Sequence, residues 1–168
     1  SPPNMVEIIE KYKATVCFTA PTAYRAMLRA MEEGADLSSL RAAVSAGETL
    51  PGPVYDEWQA KTGKPMLDGI GATEMLHIFI SNRFEDHKPA CTGKPVNGYE
   101  AKVVDKNGDE VDCGQIGLLA VRGPTGCRYL HGARQTEYVK NGWNITGDAF
   151  RMDQDGYFYF AAQIGRAH

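Results

Sequence analysis

The chain reads as an α/β protein: a parallel sheet with covering helices, followed by a small antiparallel β lobe. Three observations predict this. The first half alternates helical and strand patterns in a βαβαβ rhythm, which implies a parallel sheet. The second half gives way to short strands joined by turn signals, Asn107-Gly108 and Asp155-Gly156. Apolar runs end on glycine-containing polar turns, and ligand sites in α/β folds sit just past such strand ends.

The elements follow in order. Residues 4–13 carry Met5, Ile8, Ile9 and Tyr12 at helical spacing. Thr15 to Thr19 is short and β-branched, a strand. Pro21 stands where a helix would begin. Tyr24, Met27, Leu28 and Met31 share one face of that helix, and Gly34 ends it. Leu40 to Ser45 reads as a second strand, with Ala46-Gly47-Glu48 as the turn after it. Pro53 to Thr62 reads as a helix with Val54, Trp58 and the stem of Lys61 inward, closed by Gly63. Pro65-Met66-Leu67 ends a third, buried strand. Residues 82–98 form a polar loop, long enough to be functional or to cross between subdomains. Tyr99 to Asp105 alternates as a strand, with Lys106-Asn107-Gly108-Asp109 as a tight hairpin. Ile116 to Arg122 is a further strand and Ala133 to Val139 a short helix. Trp143-Asn144-Ile145 leads into Thr146-Gly147-Asp148, and Tyr157 to Phe160 is an aromatic strand. The expected organisation is an α/β subdomain over 1–81, a connecting loop over 82–98 and a β-rich subdomain over 99–162. There is no internal repeat and no low-complexity segment.

With 168 residues, 43% hydrophobic and 23% charged, the composition is that of a globular chain with one sizeable core or two small lobes. A net charge of -3 offers no broad basic surface, so nucleic acid is not an expected partner. The four cysteines, Cys17, Cys91, Cys113 and Cys127, form no CxxC pair, and none sits beside a histidine at metal spacing. They read as reduced thiols of a cytoplasmic protein. No signal peptide is visible, and no apolar run is long enough to cross a bilayer, so no membrane partner is expected. The missing signal carries little weight, because the sequence opens Ser1-Pro2-Pro3 without an initiator methionine.

The most informative stretch is Asp68-Gly69-Ile70-Gly71-Ala72-Thr73-Glu74. Gly69 and Gly71 allow a tight turn and close approach of a ligand to the backbone. Thr73 offers a hydroxyl. Glu74 offers a hard oxygen suited to Mg²⁺ beside a phosphate. A glycine-rich turn with an exposed Thr-Glu pair would look the same.

Three glycine-containing turns recur in order: Ser45-Ala46-Gly47-Glu48-Thr49, Asp68 to Glu74, and Thr146-Gly147-Asp148. With Gly117-Leu118-Leu119-Ala120-Val121-Arg122-Gly123-Pro124 and Asp153-Gln154-Asp155-Gly156-Tyr157-Phe158, they resemble the adenylate-forming superfamily. That group holds acyl-CoA synthetases, luciferases and peptide-synthetase adenylation domains. The likeness covers residues 1 to about 162 and implies part of the large N-terminal domain of such an enzyme. It implies that Gly47, Glu48 and Thr49 form the backbone strip beside adenine, and that the main chain of Asp68 meets the adenine amino group. Gly69, Ile70 and Gly71 continue the ATP strip. Ile70 stands where many relatives carry an aromatic that packs on the base. Thr73 would bond the α-phosphate, Glu74 would hold Mg²⁺, and Asp148 would clamp the ribose hydroxyls. A helix-capping Thr73, a solvated Glu74 and a turn-forming Asp148 are the plainer alternatives.

The implied chemistry is attack of a carboxylate on the α-phosphate of ATP, loss of pyrophosphate, and transfer of the acyl group to coenzyme A. Met75-Leu76-His77-Ile78-Phe79-Ile80-Ser81-Asn82, with Phe18-Thr19-Ala20-Pro21-Thr22-Ala23-Tyr24, resembles the benzoate and 2-aminobenzoate CoA-ligase branch. There His77, Ile78 and Ala72 would line a slot for an aromatic acid, with Tyr24 on the opposite wall. The alternative for His77 is a buried histidine bonded to a backbone carbonyl. Met75, Leu76, Phe79 and Ile80 read as core. A medium-chain fatty-acyl-CoA ligase and a non-catalytic nucleotide-binding module are the competing functions.

The resemblance also implies parts this chain lacks: a Lys-ending phosphate loop upstream and a lysine-bearing C-terminal domain downstream. The chain therefore reads as an internal fragment, poorly soluble and inactive alone. Residues 163–168, Gln-Ile-Gly-Arg-Ala-His, break the family pattern and read as a non-native tail.

Overall fold

The computed structural model describes residues 2–31, 34–130 and 132–163. Residues 164–168 of the expected tail lie outside the described residues. Two compact units are present: Ser1–Gly69 with Asn82–Ala90, and Ile70–Ser81 with Cys91–His168.

The first unit begins with α1 (Pro2–Tyr12), β1 (Val16–Thr19), α2 (Pro21–Ala30), β2 (Ala42–Ser45) and α3 (Gly52–Thr62), and leads into β3 (Met66–Gly71). The strands β1, β2 and β3 run parallel in that order, with Phe18 opposite Val44 and Ser45 opposite Asp68. The parallel sheet and helices read from the βαβαβ rhythm are thus present. Val54, Tyr55 and Trp58 of α3 pack with Tyr24, Met27 and Leu28 of α2 in one core. The Tyr24 and Trp58 rings meet edge-on at 5.0 Å. Lys61 Nζ reaches back from α3 to the Leu28 carbonyl at 2.9 Å.

Three local expectations are corrected. α1 buries Val6 and Ile9 rather than Ile8 and Tyr12, which are 50% and 69% exposed. Two apolar stripes compete on this helix, and Val6 and Ile9, three apart, take the core. α2 ends at Ala30, where Met31 turns extended and its N–H bonds Met27 O at 2.8 Å, so Gly34 does not end it. The third strand does not stop at Leu67: β3 runs on through Asp68, Gly69, Ile70 and Gly71. Two glycines weaken a strand, yet here the backbone stays extended.

The second unit holds the end of β3, a single 3₁₀ turn over Thr73–Met75, β4 (Ile78–Ser81) and β5 (Lys94–Pro95). It continues with β6 (Glu100–Val104), β7 (Gly117–Arg122), α4 (Gly132–Tyr138), β8 (Val139–Lys140), β9 (Trp143–Met152) and β10 (Phe158–Gln163). The last strands form an antiparallel sheet in the order β10-β9-β7-β6, with β8 on β9. Met75, Phe79, Ile80, Val103, Leu119, Val121, Phe150 and Phe158 make its core. Leu76 is an exception to the expected core: it is 73% exposed at φ 70°.

The Asn107-Gly108 turn forms as a hydrogen-bonded loop, with Asp105 Oδ1 accepting from the N–H groups of Asn107 and Asp109. It returns the chain only to a bridge between Val104 and Glu110, and β7 follows later. Thr146-Gly147-Asp148 is not a turn after a strand. It lies inside β9, between the Ala120–Ile145 and Leu118–Ala149 pairs. Three residues therefore face one, a β-bulge. Gly147 has φ 81°, a left-handed conformation that side chains resist. Gln163, first residue of the expected tail, pairs with Asp148.

Candidate functional site

In the first unit, β2 delivers Gly47, Glu48 and Thr49 to the surface, all three exposed. Thr22 at the start of α2 donates its hydroxyl to Glu48 Oε1 at 3.1 Å. On the neighbouring strand, Asp68 sits opposite Ser45. The Asp68 carbonyl accepts from the Asn82 backbone N–H at 2.9 Å and from Asn82 Nδ2 at 3.2 Å. Both lone-pair positions of that oxygen are filled. The expected main-chain contact to adenine is therefore not what this carbonyl offers. The carboxylate differs. Asp68 Oδ1 is buried without a hydrogen-bond partner among the described residues. Burial pushes the Asp68 carboxyl up to about 7, against the pull of the Ser45 hydroxyl and the Gly69 N–H.

Tyr24 has no exposed surface, and its hydroxyl is shared between the Cys17 and Val44 carbonyls at 2.8 and 2.9 Å. Burial raises its pKa far above the ordinary range. A ring with zero exposure cannot form the wall of a pocket that a ligand enters, so Tyr24 is a core residue. Within the Phe-Thr-Ala-Pro-Thr-Ala-Tyr string, Tyr24 ties α2 to β1 and β2.

In the second unit, Gly71 shows why the strand needs glycine at its end. A Cβ there would stand 2.4 Å from the His77 carbonyl oxygen and 2.9 Å from the Ile78 nitrogen. Ile70 and Ala72 are half-buried and pack against the unit's core. Thr73 is exposed and opens the 3₁₀ turn, its carbonyl accepting from Leu76 N–H at 3.2 Å. His77 is exposed, which removes the buried-histidine alternative, and Ile78 is half-buried at the start of β4.

Glu74 is half-buried on the 3₁₀ turn. The hydroxyl of Tyr129 donates to Glu74 Oε1. Tyr129 in turn meets Tyr138 edge-on, ring centroids 5.9 Å apart. The Tyr138 hydroxyl is buried with no hydrogen-bond partner among the described residues. Burial raises the Tyr138 pKa, and the charges of Glu74 and Asp148 add to the rise. The fold thus brings Glu74, Tyr129, Tyr138 and Asp148 into one electrostatic neighbourhood. Thr125 fixes the turn from behind, donating to Met75 O at 2.7 Å and bonding the Tyr99 hydroxyl at 2.6 Å. Asn82, Tyr99, Thr125, Tyr129 and Tyr138 went unread in the sequence. Each lies far along the chain from the group it serves.

Among the described residues, no group of three or more His, Cys, Asp or Glu could hold a metal ion by itself. Glu74 supplies a single carboxylate, which suits Mg²⁺, an ion that usually takes one or two protein carboxylates and completes its shell with phosphate and water.

Residues 1–129 match the family described as AMP-binding enzyme. This chain is a member of the AMP-binding enzyme family. The match fits the parallel sheet and the Gly-rich β3 just described. The 3-hydroxybenzoate–CoA ligase of Aromatoleum sp. (strain CIB) is 38% identical, over 94% of this chain and 31% of that protein. The benzoate–CoA ligase of Thauera aromatica is 37% identical, over 97% of this chain and 32% of that protein. An anthranilate CoA ligase, AuaEII, solved in complex with anthranoyl-AMP, is 40% identical with a TM-score of 0.90, over 96% of this chain and 32% of that one. The fold is that of the N-terminal domain of adenylate-forming enzymes. The chain spans about a third of the length of these relatives. Among the described residues, no helix is long and apolar enough to cross a membrane.

Proposed function

We propose that the protein carrying this chain is an ATP-dependent aryl-CoA ligase. It activates an aromatic carboxylate, benzoate or 2-aminobenzoate, as the acyl-adenylate and passes it to coenzyme A. The observation that carries this is the likeness, over 94–97% of the chain, to ligases named for 3-hydroxybenzoate, benzoate and anthranilate.

The residue roles are proposed on the geometry. The half-buried Asp68 is assigned to the adenine amino group, beside the exposed Gly47-Glu48-Thr49 strip. With its pKa pushed up to about 7 it is part-protonated at neutrality, and that form can also donate to a ring nitrogen. Thr73 is assigned to the α-phosphate and Asp148 to the ribose hydroxyls. Glu74 is assigned to Mg²⁺, which neutralises phosphate charge when bound. Gly69, Ile70 and Gly71 hold the strand between Asp68 and Thr73, and the aliphatic Ile70 gives a weaker contact to the base than an aromatic would. His77, Ile78 and Ala72 are assigned to the acid. Tyr24 is not. The chain's own residues orient and exclude water, and rate gain of this kind comes from positioning and charge neutralisation. A cytoplasmic setting is proposed with this function.

The test is kcat/KM of the intact protein for benzoate, 2-aminobenzoate, hexanoate and octanoate. Aryl acids should lead by at least tenfold, since a poorly filled apolar slot typically costs about 1–3 kcal/mol. Preference for octanoate would move the protein to the medium-chain branch. Nucleotide binding without turnover of any acid would make it a non-catalytic module.

A further inference from the structure

We propose that Tyr129 is a positioning residue for Glu74, held in place by Tyr138, and that it sets the carboxylate geometry the metal meets. The inference rests on Glu74 being the Mg²⁺ ligand, as assigned above.

Glu74 stands on one 3₁₀ turn, Thr73–Met75, a short element with poor hydrogen-bond geometry of its own. Such a turn does not fix a long carboxylate side chain. Mg²⁺, however, demands near-ideal octahedral ligands. Orientation must therefore come from outside the turn. Thr125 pins the backbone through the Met75 carbonyl at 2.7 Å. Tyr129 pins the side chain, donating its hydroxyl to Glu74 Oε1. An O–H bond to a carboxylate is charge-assisted and about twice as strong as a neutral one.

Tyr129 is itself held at both ends. Its backbone N–H donates to Gln135 Oε1 at 2.9 Å, and its ring packs edge-on against Tyr138. Tyr138 closes α4, so both restraints on Tyr129 come from α4. A hydrogen-bonded tyrosine behind a metal-binding carboxylate is an outer-shell partner, and loss of such partners typically costs 10–100-fold in metal affinity or activity.

The test is a double-mutant cycle in the intact protein. Mn²⁺ binding in the presence of α,β-methylene ATP is followed by the electron paramagnetic resonance of the free ion. Tyr129→Phe keeps the ring and its packing. It should weaken Mn²⁺ binding about tenfold in the wild-type background and less than twofold in a Glu74→Gln background. Pyrophosphate exchange should show the same coupling, with KM for the acid within twofold. Equal weakening in both backgrounds would mean that Tyr129 only supports the fold, and the inference fails. No weakening in either background also overturns it, provided Glu74→Gln alone weakens binding. If Glu74→Gln leaves Mn²⁺ binding at the wild-type level, the metal assignment itself fails and takes the inference with it. Should Tyr129→Phe not fold, Tyr129→His, which keeps a ring donor, carries the same cycle with a smaller expected loss in the wild-type background alone.

Discussion

Strands β3 and β9 each carry an apolar stretch and a glycine followed by an acidic residue, Glu74 on the turn just past β3 and Asp148 within β9, yet they use glycine for different reasons. In β3 the backbone stays extended, and Gly71 is needed for room: its missing Cβ is where the His77 carbonyl sits, 2.4 Å away. In β9 nothing among the described residues lies within 4 Å of a Cβ at Gly147, and the need is for conformation, φ 81°. One strand presses against its neighbour; the other bulges away from β7. Both devices bring a carboxylate, Glu74 or Asp148, close enough to act on Tyr138. The shared sequence signature marks the output, a presented carboxylate, rather than a shared backbone.

The largest expected effects break the comparison at those carboxylates. In the intact protein, Glu74→Gln and Asp148→Ala should each raise the adenylation barrier by on the order of 2–4 kcal/mol, as losing one preorganised electrostatic group does. Pyrophosphate exchange measures it. Wild-type rates in either variant would remove that residue's assigned role.

Substitutions at the two glycines separate room from conformation. Gly71→Ala forces a methyl into backbone and should cost about 2–3 kcal/mol of stability. Gly147→Ala has space but a strained φ, and should cost about 1–2 kcal/mol. Asn tolerates the left-handed region, so Gly147→Asn should recover part of the loss while Gly71→Asn recovers none. Thermal midpoints of the four variants decide it. Equal behaviour of the two Asn variants would mean that both sites are limited by space.

The same contrast shows what the sequence could carry. Local signals were legible: the βαβαβ rhythm, Pro21 at a helix start, Gly63 after α3, and the Asp155-Gly156 turn all depend on residues near in sequence. The glycines of β3 and β9 were legible as special positions, but as turns, because a glycine needed for close approach looks the same in one dimension as one needed for a bend. Tyr24 and Tyr129 fail for a different reason. A tyrosine's environment is set by residues far away: Trp58 and Val44 bury the first, and Glu74, 55 positions upstream, engages the second. Periodicity gave neither contact.

Asp68, also on β3, extends the comparison to pH. Its carboxyl titrates at about 7 in the folded chain against 3.8 ordinarily. Between those values the folded state keeps a proton that the unfolded chain releases. Stability therefore falls as pH rises from about 4 to about 7 and is level above. Asp68→Asn should remove this slope and, without nucleotide, leave the protein more stable at pH 8 by on the order of 1–2 kcal/mol, discounted because Asp68 is only part-buried. Denaturant midpoints at pH 5 and pH 8 check the sign. A wild-type protein that gains stability across that range would contradict the desolvation of the Asp68 carboxyl.

The smallest expected effect concerns Tyr138, the phenol that feels both carboxylates. Its hydroxyl is buried and unmatched among the described residues, while its ring buttresses Tyr129. Burying an unsatisfied hydroxyl costs about 1–3 kcal/mol, whereas the ring packing does not depend on the oxygen. Tyr138→Phe should therefore keep the Tyr129 contact and raise stability, by about 1 kcal/mol once the lost solvation of the unfolded phenol is counted. The gain should be larger in a Glu74→Gln background, because the neutral amide no longer holds the phenol proton in the field of a negative charge, and less is lost with the hydroxyl. A loss of stability in Tyr138→Phe would show that the hydroxyl has a partner in solution, and that Tyr138 holds the β9 side of the neighbourhood as Tyr129 holds Glu74.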